Sequence, residues 1–341
     1  MKINAFPNRI LTTGEDNYLY FGGTAYLGLP TNKKFQQILI KNILQWGTAY
    51  GSSRSANIEL KAYENGEKFL AKFIKSEASI TVTSGMLAGK IVIESLQTHT
   101  DQFYHFNNVH TAIKSGNSIP FFIENEMNPR LHDAAKERIT ILTDAVPSFC
   151  TKAVDLSFLR LIPPHKEITL VIDESHSLGL LGKNGNGIFS KVNYPNIKRK
   201  IMISSLGKAF GLTGGFIASD AQFIQQIRAN DSFIASAGMN PAFVQTIPDA
   251  KKLYIKQHRK LKDNLDYLKT NLKKSKAFLF SSKYPLIYIE KEEINTLLDK
   301  NKIIIAHFKY ASGIKDLNRI VITANHKKRD LDQIISILNQ F

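Results

Sequence analysis

The chain has 341 residues, 43% hydrophobic and 22% charged, with a formal net charge of +16. That length buries a large core and suits two or three domains, or one large domain with a smaller one appended, and the composition excludes a disordered chain. A single cysteine, Cys150, excludes an intramolecular disulfide and a multi-cysteine metal cluster.

The basic balance invites a nucleic-acid reading, because clustered lysines make a footprint for phosphate backbones. The lysines are instead spread along the chain, with local density at Lys191 to Lys200 and Lys251 to Lys274. The second run reads as the solvated face of a helix, so a Lys-rich soluble surface is the plainer explanation. The opening MKINAFPNRIL lacks the apolar core of a signal peptide, and no run approaches the ~18 apolar residues of a membrane span, so a cytoplasmic location is expected.

Residues 1 to 30 are turn-rich, and NYLYFGGTAYLGLP alternates aromatic and small residues as a strand and turn would. The spacing of Phe35, Ile38, Leu39, Ile43 and Leu44 predicts a helix over Lys33 to Trp46. GTAYGSSRS follows as a loop, and a second amphipathic helix is predicted from about Glu59 to Ile74. From Ile80 the pattern becomes strand then helix: SITVT, the helix GMLAGKIVIESL, then strands at FYHF, IPFFI, RITILT, ITLVID, IMISS and GGFIA. Short buried strands among helical patterns predict an α/β protein with a mostly parallel central sheet covered by helices on both faces.

Beyond about Asn230 the alternation stops. One long helix is predicted from Ala242 to about Lys274, followed by strands at AFLFSS and LIYIE, a helix at EEINTLLDK, strands at KIIIAHF and RIVIT, and a helix from Lys328 to Leu338. This reads as a smaller α+β C-terminal domain. The expected division is 1–32 as an N-terminal segment packing with the small domain, 33–235 as the large domain, and 236–341 as the small one.

Two phosphate-binding motifs fail. Gly207-Lys208 resembles the end of a Walker loop, but Met202 replaces the opening glycine and Ala209 the magnesium hydroxyl. Gly185-Asn186-Gly187 meets Ser190 where a dinucleotide fingerprint needs its third glycine.

What remains is a convergence. The strand ending at Ile172 delivers Asp173 and His176, and the strand ending near Ser204 delivers Lys208, all to the carboxyl-end rim where open α/β sheets bind ligands. A partly desolvated lysine loses its proton and forms a Schiff base with an aldehyde, which is how pyridoxal 5'-phosphate (PLP) is held. An aspartate facing the pyridine nitrogen keeps that nitrogen protonated, and His176 could reach the ring oxygen. Taken singly, each has a plainer reading: a turn-forming Asp, a solvated loop His, one more surface Lys.

DESHSLGLLGKNGNGIF followed by SSLGKAFGLTGGF resembles the signature of the α-oxoamine synthases, PLP-dependent transferases of fold type I in the class II aminotransferase superfamily. The resemblance runs in order from AYLGL to RIVIT. It implies that Lys208 holds the cofactor aldehyde, Asp173 partners the pyridine nitrogen, His176 binds the ring oxygen and Ser205 the phosphate. In NVHTAIKSG it makes His110 the imidazole that stacks on the ring. Ser84, Gly85 and Met86 match a turn whose amides cradle the phosphate, and Ser148 matches a polar residue near the ring. Arg319 in NRIVIT aligns with an arginine that clamps the amino-acid carboxylate, a task suited to its two-pronged fork. Without the resemblance Arg319 is a strand-flanking surface residue.

The implied activity is decarboxylative condensation of an amino acid with an acyl thioester, on coenzyme A or acyl carrier protein, giving a 2-amino ketone at a site shared by a homodimer. Within that family the motif leans to alanine with a pimeloyl thioester. Several positions depart from the pattern: Thr24 for an Asn, FCTK for an acidic turn after Ser148, Phe106 for an Asp, Ala237 for a hydroxyl residue, no glycine after the Ser53-Arg54 pair, and a shorter chain. These fall away from the cofactor core and leave the acyl-donor side open. A PLP aminotransferase or amino-acid lyase would use the same Lys208, Asp173 and Arg319, and a non-catalytic basic nucleic-acid-binding protein is the reading from another class.

Overall fold

The computed structural model describes residues 2–309 and 316–341. The apolar, β-branched runs form a seven-stranded sheet from β3 (Ala78–Val82), β4 (Gln102–His105), β5 (Ile119–Pro120), β8 (Glu137–Asp144), β9 (Lys166–Asp173), β10 (Ile197–Ser205) and β11 (Gly215–Ser219). Its order is β3-β11-β10-β9-β8-β4-β5. All neighbours are parallel except β11, which runs antiparallel to both β10 and β3. Strands β8 and β9 are almost fully buried, as parallel strands lying between two covered faces are.

The predicted helices α1 (Lys33–Trp46), α2 (Lys61–Ile74) and α3 (Gly85–Leu96) form where the spacing placed them. Asn32 caps α1 by accepting from the Lys34 and Phe35 amides. Over β4, β8 and β9 the expected helical cover is much reduced. Among the described residues, the stretch from Leu96 to α4 (Ala221–Arg228) holds only 3-10 turns, the strands above and a small hairpin of β6 (Phe122–Ile123) and β7 (Glu126–Met127). The IPFFI run is thus split: Ile119 and Pro120 extend the sheet, and Phe122 and Ile123 join the hairpin. Phe106, Phe121, Phe122 and Phe158 pack ring on ring there and bury apolar area that a helix would otherwise cover.

After α5 (Asp231–Ala235), the single long helix expected from Ala242 to Lys274 is two helices, α6 (Pro241–Asp249) and α7 (Lys251–Asn271). Pro248 lacks an amide and crowds the preceding turn, so the chain breaks at Ala250 and restarts. α6 packs on α1 and α2. α7 buries Tyr254, Gln257, Leu261, Leu265 and Leu268 and turns its lysines to solvent, so the run is a solvated helix face as expected.

A six-stranded sheet follows, ordered β1-β2-β14-β15-β13-β12. Its strands are β1 (Ile10–Thr13), β2 (Asp16–Phe21), β12 (Phe278–Phe280), β13 (Leu286–Ile289), β14 (Ile303–Lys309) and β15 (Asp316–Val321), with α8 (Glu293–Lys300) and α9 (Lys328–Leu338) beside it. The N-terminal hairpin enters this C-terminal sheet through β2, parallel to β14. No helix among the described residues is long and apolar enough to cross a membrane.

Candidate active site

Asp173 is the last residue of β9 and Asp144 the last of β8, and the two are direct partners in the parallel register. Asp173 also pairs with Ile203 of β10, so the end of β10 lies on the same rim. Asp173 accepts the Ser175 amide at 2.8 Å, and the Ser175 hydroxyl accepts the Ser205 amide at 2.8 Å, which ties the ends of β9 and β10 together. The chain between β10 and β11 is pinched by backbone bonds from Leu206 to Gly214, Leu212 to Leu206 and Gly211 to Lys208. Lys208 stands in that loop.

Burial pulls the Lys208 amine below its ordinary range, Asp173 and Asp144 pull it back up, and Arg319 lowers it further. His110 arrives on the loop after β4, with its amide shared between the two Asp144 oxygens at 3.2 and 3.3 Å. Its imidazole is held below the usual range by burial, against the charge of Asp173. His176 lies just past Asp173. Its Nδ1 is 2.9 Å from the Tyr26 hydroxyl, and its carbonyl accepts from the Tyr284 hydroxyl at 2.9 Å. Burial first, then Lys208, Arg319 and His110, hold this imidazole well below its ordinary value, so it is neutral.

Arg319 reaches the same place from the other sheet. It sits on β15 opposite Tyr288 of β13, is 9% exposed, and has a buried Nε with no hydrogen-bond partner among the described residues. Its charge acts on Lys208, His176, Tyr26, Tyr284 and Tyr288. A buried guanidinium donor without a partner is costly unless an anion meets it.

At the opposite end of the rim, Ser84 caps the 12-residue helix α3 by accepting the Leu87 amide. Its carbonyl takes the Ala88 amide, so Gly85 and Met86 supply the first turn's remaining N–H groups. Gly85 is forced by proximity: a Cβ there would lie 2.9 Å from Ser205 Cβ and 3.0 Å from Ser205 N. The helix N-terminus is therefore seated directly on Ser205, whose hydroxyl accepts the Gly207 amide at 3.2 Å. Two amides, a hydroxyl and the helix dipole form a cradle for a phosphate. Ser148 follows β8 in a half-buried turn, ahead of Phe149, whose ring tilts against Tyr288 at 5.9 Å.

The structure thus gathers Lys208, Asp173, His176, His110 and Arg319 around one point, with Ser84, Gly85, Met86 and Ser205 at its edge. Three participants escaped the sequence reading. Asp144 stands in TILTD, where nothing local separates it from a turn former. Tyr26 and Tyr284 reach His176 from 150 and 108 residues away. Tyr26 lies within the AYLGL segment, which was the one available signal.

The aminotransferase class I and II family profile matches residues 32–338. The chain is 29% identical to an 8-amino-7-oxononanoate synthase of Petrotoga mobilis over 334 residues, covering 91% of this chain and 85% of that one. It is 27% identical to the enzyme of that name from Fervidobacterium nodosum, covering 90% and 84%. Among solved structures, a serine palmitoyltransferase from S. paucimobilis carrying PLP and myriocin superposes with a TM-score of 0.80 at 17% identity, over 97% of this chain and 89% of that one. The 8-amino-7-oxononanoate synthase of Francisella tularensis gives 0.69 at 21% identity, over 95% and 97%. The fold is shared with both solved structures, and the chain belongs to the aminotransferase class I and II family.

Proposed function

We propose that the chain is a PLP-dependent acyltransferase that condenses an amino acid with an acyl thioester and releases the free thiol, carbon dioxide and a 2-amino ketone. The observation that carries this reading is the meeting of Lys208, Asp173 and His176 with Arg319, whose buried Nε has no partner among the described residues. The residues fit PLP from end to end. Asp173 would face the pyridine nitrogen, His176 the ring oxygen and His110 the ring face, with Ser148 nearby. Ser205 and the Ser84–Met86 turn would take the phosphate, and Lys208 would hold the aldehyde. When bound, the protonated ring supplies a sink for the electrons left by an amino acid's α-proton.

The protein's own groups do the rest. Arg319 would orient the substrate carboxylate through its fork. Lys208, whose amine burial keeps below its usual range, would take the α-proton as a general base. His110 and His176, both held below their usual values, would act as neutral imidazoles that position the ring and donate toward the thioester carbonyl. A homodimer is part of the proposal, as is the division at residues 32 and 235, for which the pairing of β2 with β14 is the support. The relatives' name supports a dicarboxylic acyl group of the 8-amino-7-oxononanoate type, with alanine as amino acid.

The test is to mix the PLP-loaded protein with amino acids and acyl thioesters and follow free thiol. Thiol release that depends on both substrates supports condensation. Keto-acid turnover with no thiol release from any donor supports the aminotransferase reading instead.

A further inference from the structure

We propose that Asp144 works as an uncharged carboxylic acid: it donates its proton toward Asp173 while accepting the His110 amide, so that the two acids present one negative charge to the cofactor. The link to PLP rests on the function proposed above; the state of the acid pair does not.

The geometry requires a solution of this kind. Asp144 and Asp173 are register partners on adjacent parallel strands, which lie ~4.8 Å apart, and they are 9% and 7% exposed. Neither carboxylate receives a hydrogen bond or ion pair from a cationic side chain among the described residues. Two buried carboxylates side by side on neighbouring strands cannot both ionise cheaply, and one keeps a proton. The bonds decide which. Asp173 takes a 2.8 Å bond from the Ser175 amide, whereas the His110 amide spreads over both Asp144 oxygens at 3.2 and 3.3 Å. The longer, divided bond gives the charged form of Asp144 the weaker support, so Asp144 is the acid that keeps the proton.

The other groups facing the pair agree with this assignment. Just past β9, Glu174 turns its carboxylate away, to the Ser177 hydroxyl and the Ile188 and Phe189 amides. From the loop after β4, His110 is neutral, and its Nδ1 takes the Ala112 amide at 3.2 Å. From the loop after β10, the Lys208 charge acts on both acids, and it is the amine that PLP would consume. Burial and Asp173 drive the Asp144 carboxyl well above its ordinary range, against the smaller pull of the His110 amide and Lys208. Asp144 is therefore a positioning residue: it joins the loop that carries His110 to the acid that meets the ring nitrogen.

Asparagine reproduces a neutral acid at this place, with an amide to donate toward Asp173 and an oxygen to accept from His110. Asp144→Asn is expected to keep PLP affinity within about threefold of the parent and to leave the pH dependence of the bound cofactor's absorbance in place. Asp144→Ala, with the His110 loop released, is expected to weaken PLP tenfold or more. An Asn variant as weak as the Ala variant, or an Ala variant equal to the parent, would overturn the proposal.

A second arm uses the protein without PLP. A carboxyl raised in the folded state contributes stability that is complete below the ordinary carboxylate range and is lost as pH rises through the folded-state value. The parent is therefore expected to lose more thermal stability on that rise than Asp144→Asn, which keeps only the share owed to Glu174, whose carboxyl burial pushes up to about 7, so that the Asn variant melts higher at pH 8. An Asn variant that melts lower than the parent at pH 8 overturns the neutral assignment. Because this arm needs no cofactor, it decides the matter even if the protein takes up no PLP, a result that would sink the proposed function alone.

Discussion

The Tyr26 hydroxyl meets Nδ1 of His176 at 2.9 Å, and Tyr284 holds the backbone of the same residue through its carbonyl. Burial pushes the Tyr26 phenol up to about 12, so it keeps its proton, and Nε2 is the ring nitrogen left for other partners. Tyr26→Phe removes the bond while preserving the ring. A lost buried hydrogen bond of this kind costs about 1 kcal/mol, roughly fivefold in an equilibrium constant. Denaturation of the variant should show a loss of stability of that order, and PLP titration a weaker binding as His176 loses its anchor.

Gly85 meets Ser205 at a distance no side chain tolerates. Gly85→Ala must push α3 off Ser205 or shift the end of β10, and overpacking of this sort costs about 1–3 kcal/mol. The damage falls where the phosphate would bind. The expected result is weakened binding of PLP, by roughly 5- to 150-fold, with a smaller effect on pyridoxal, which has no phosphate.

Arg319 has the opposite signature. Its proposed partner is the substrate carboxylate, so Arg319→Ala should leave PLP uptake nearly intact and raise KM for the amino acid by roughly 10- to 100-fold, the worth of a charge-assisted bond. Arg319→Lys should recover little, because an ammonium cannot reproduce the fork. Steady-state kinetics with the amino acid varied reads both.

How much of this was visible beforehand follows from distance along the chain. Lys208, Asp173 and His176 stand at or just past the ends of two neighbouring strands within 36 residues, and each strand end is announced by an apolar run, so both rim and chemistry were legible. Asp144 was not, because its meaning comes from β8 lying beside β9, and periodicity does not reveal strand order. The aromatic cover of Phe106, Phe121, Phe122 and Phe158 was equally hidden: no helical spacing connects rings gathered from separate turns, and Pro120, Pro129, Pro163 and Pro164 punctuate the segment. The break between α6 and α7 had a local cause, Pro248, and was there to be read.

His326 offers a prediction about stability alone. Its ring stacks on Phe21 at 4.0 Å, Nδ1 accepts the Thr323 amide at 2.9 Å, and Nε2 lies 3.0 Å from the Tyr20 carbonyl. That pattern needs a neutral ring with its proton on Nε2, and burial pulls the imidazole down to about 4. With the folded value below the unfolded one, the stabilisation is complete above about pH 6.5 and is lost as pH falls toward 4. The loss amounts to about 3 kcal/mol. Denaturation midpoints across that window should fall more steeply for the parent than for His326→Gln, which has no proton to gain.

If Lys208 carries the cofactor, chemical fixation will capture PLP on that side chain. The protein is loaded with PLP, reduced with borohydride and digested, and the peptides are weighed. A visible absorbance band is expected before reduction, with the added pyridoxyl phosphate mass on the peptide containing Lys208, both absent from Lys208→Ala. A colourless protein, or a label fixed on another lysine with the Lys208 peptide unmodified, would contradict it.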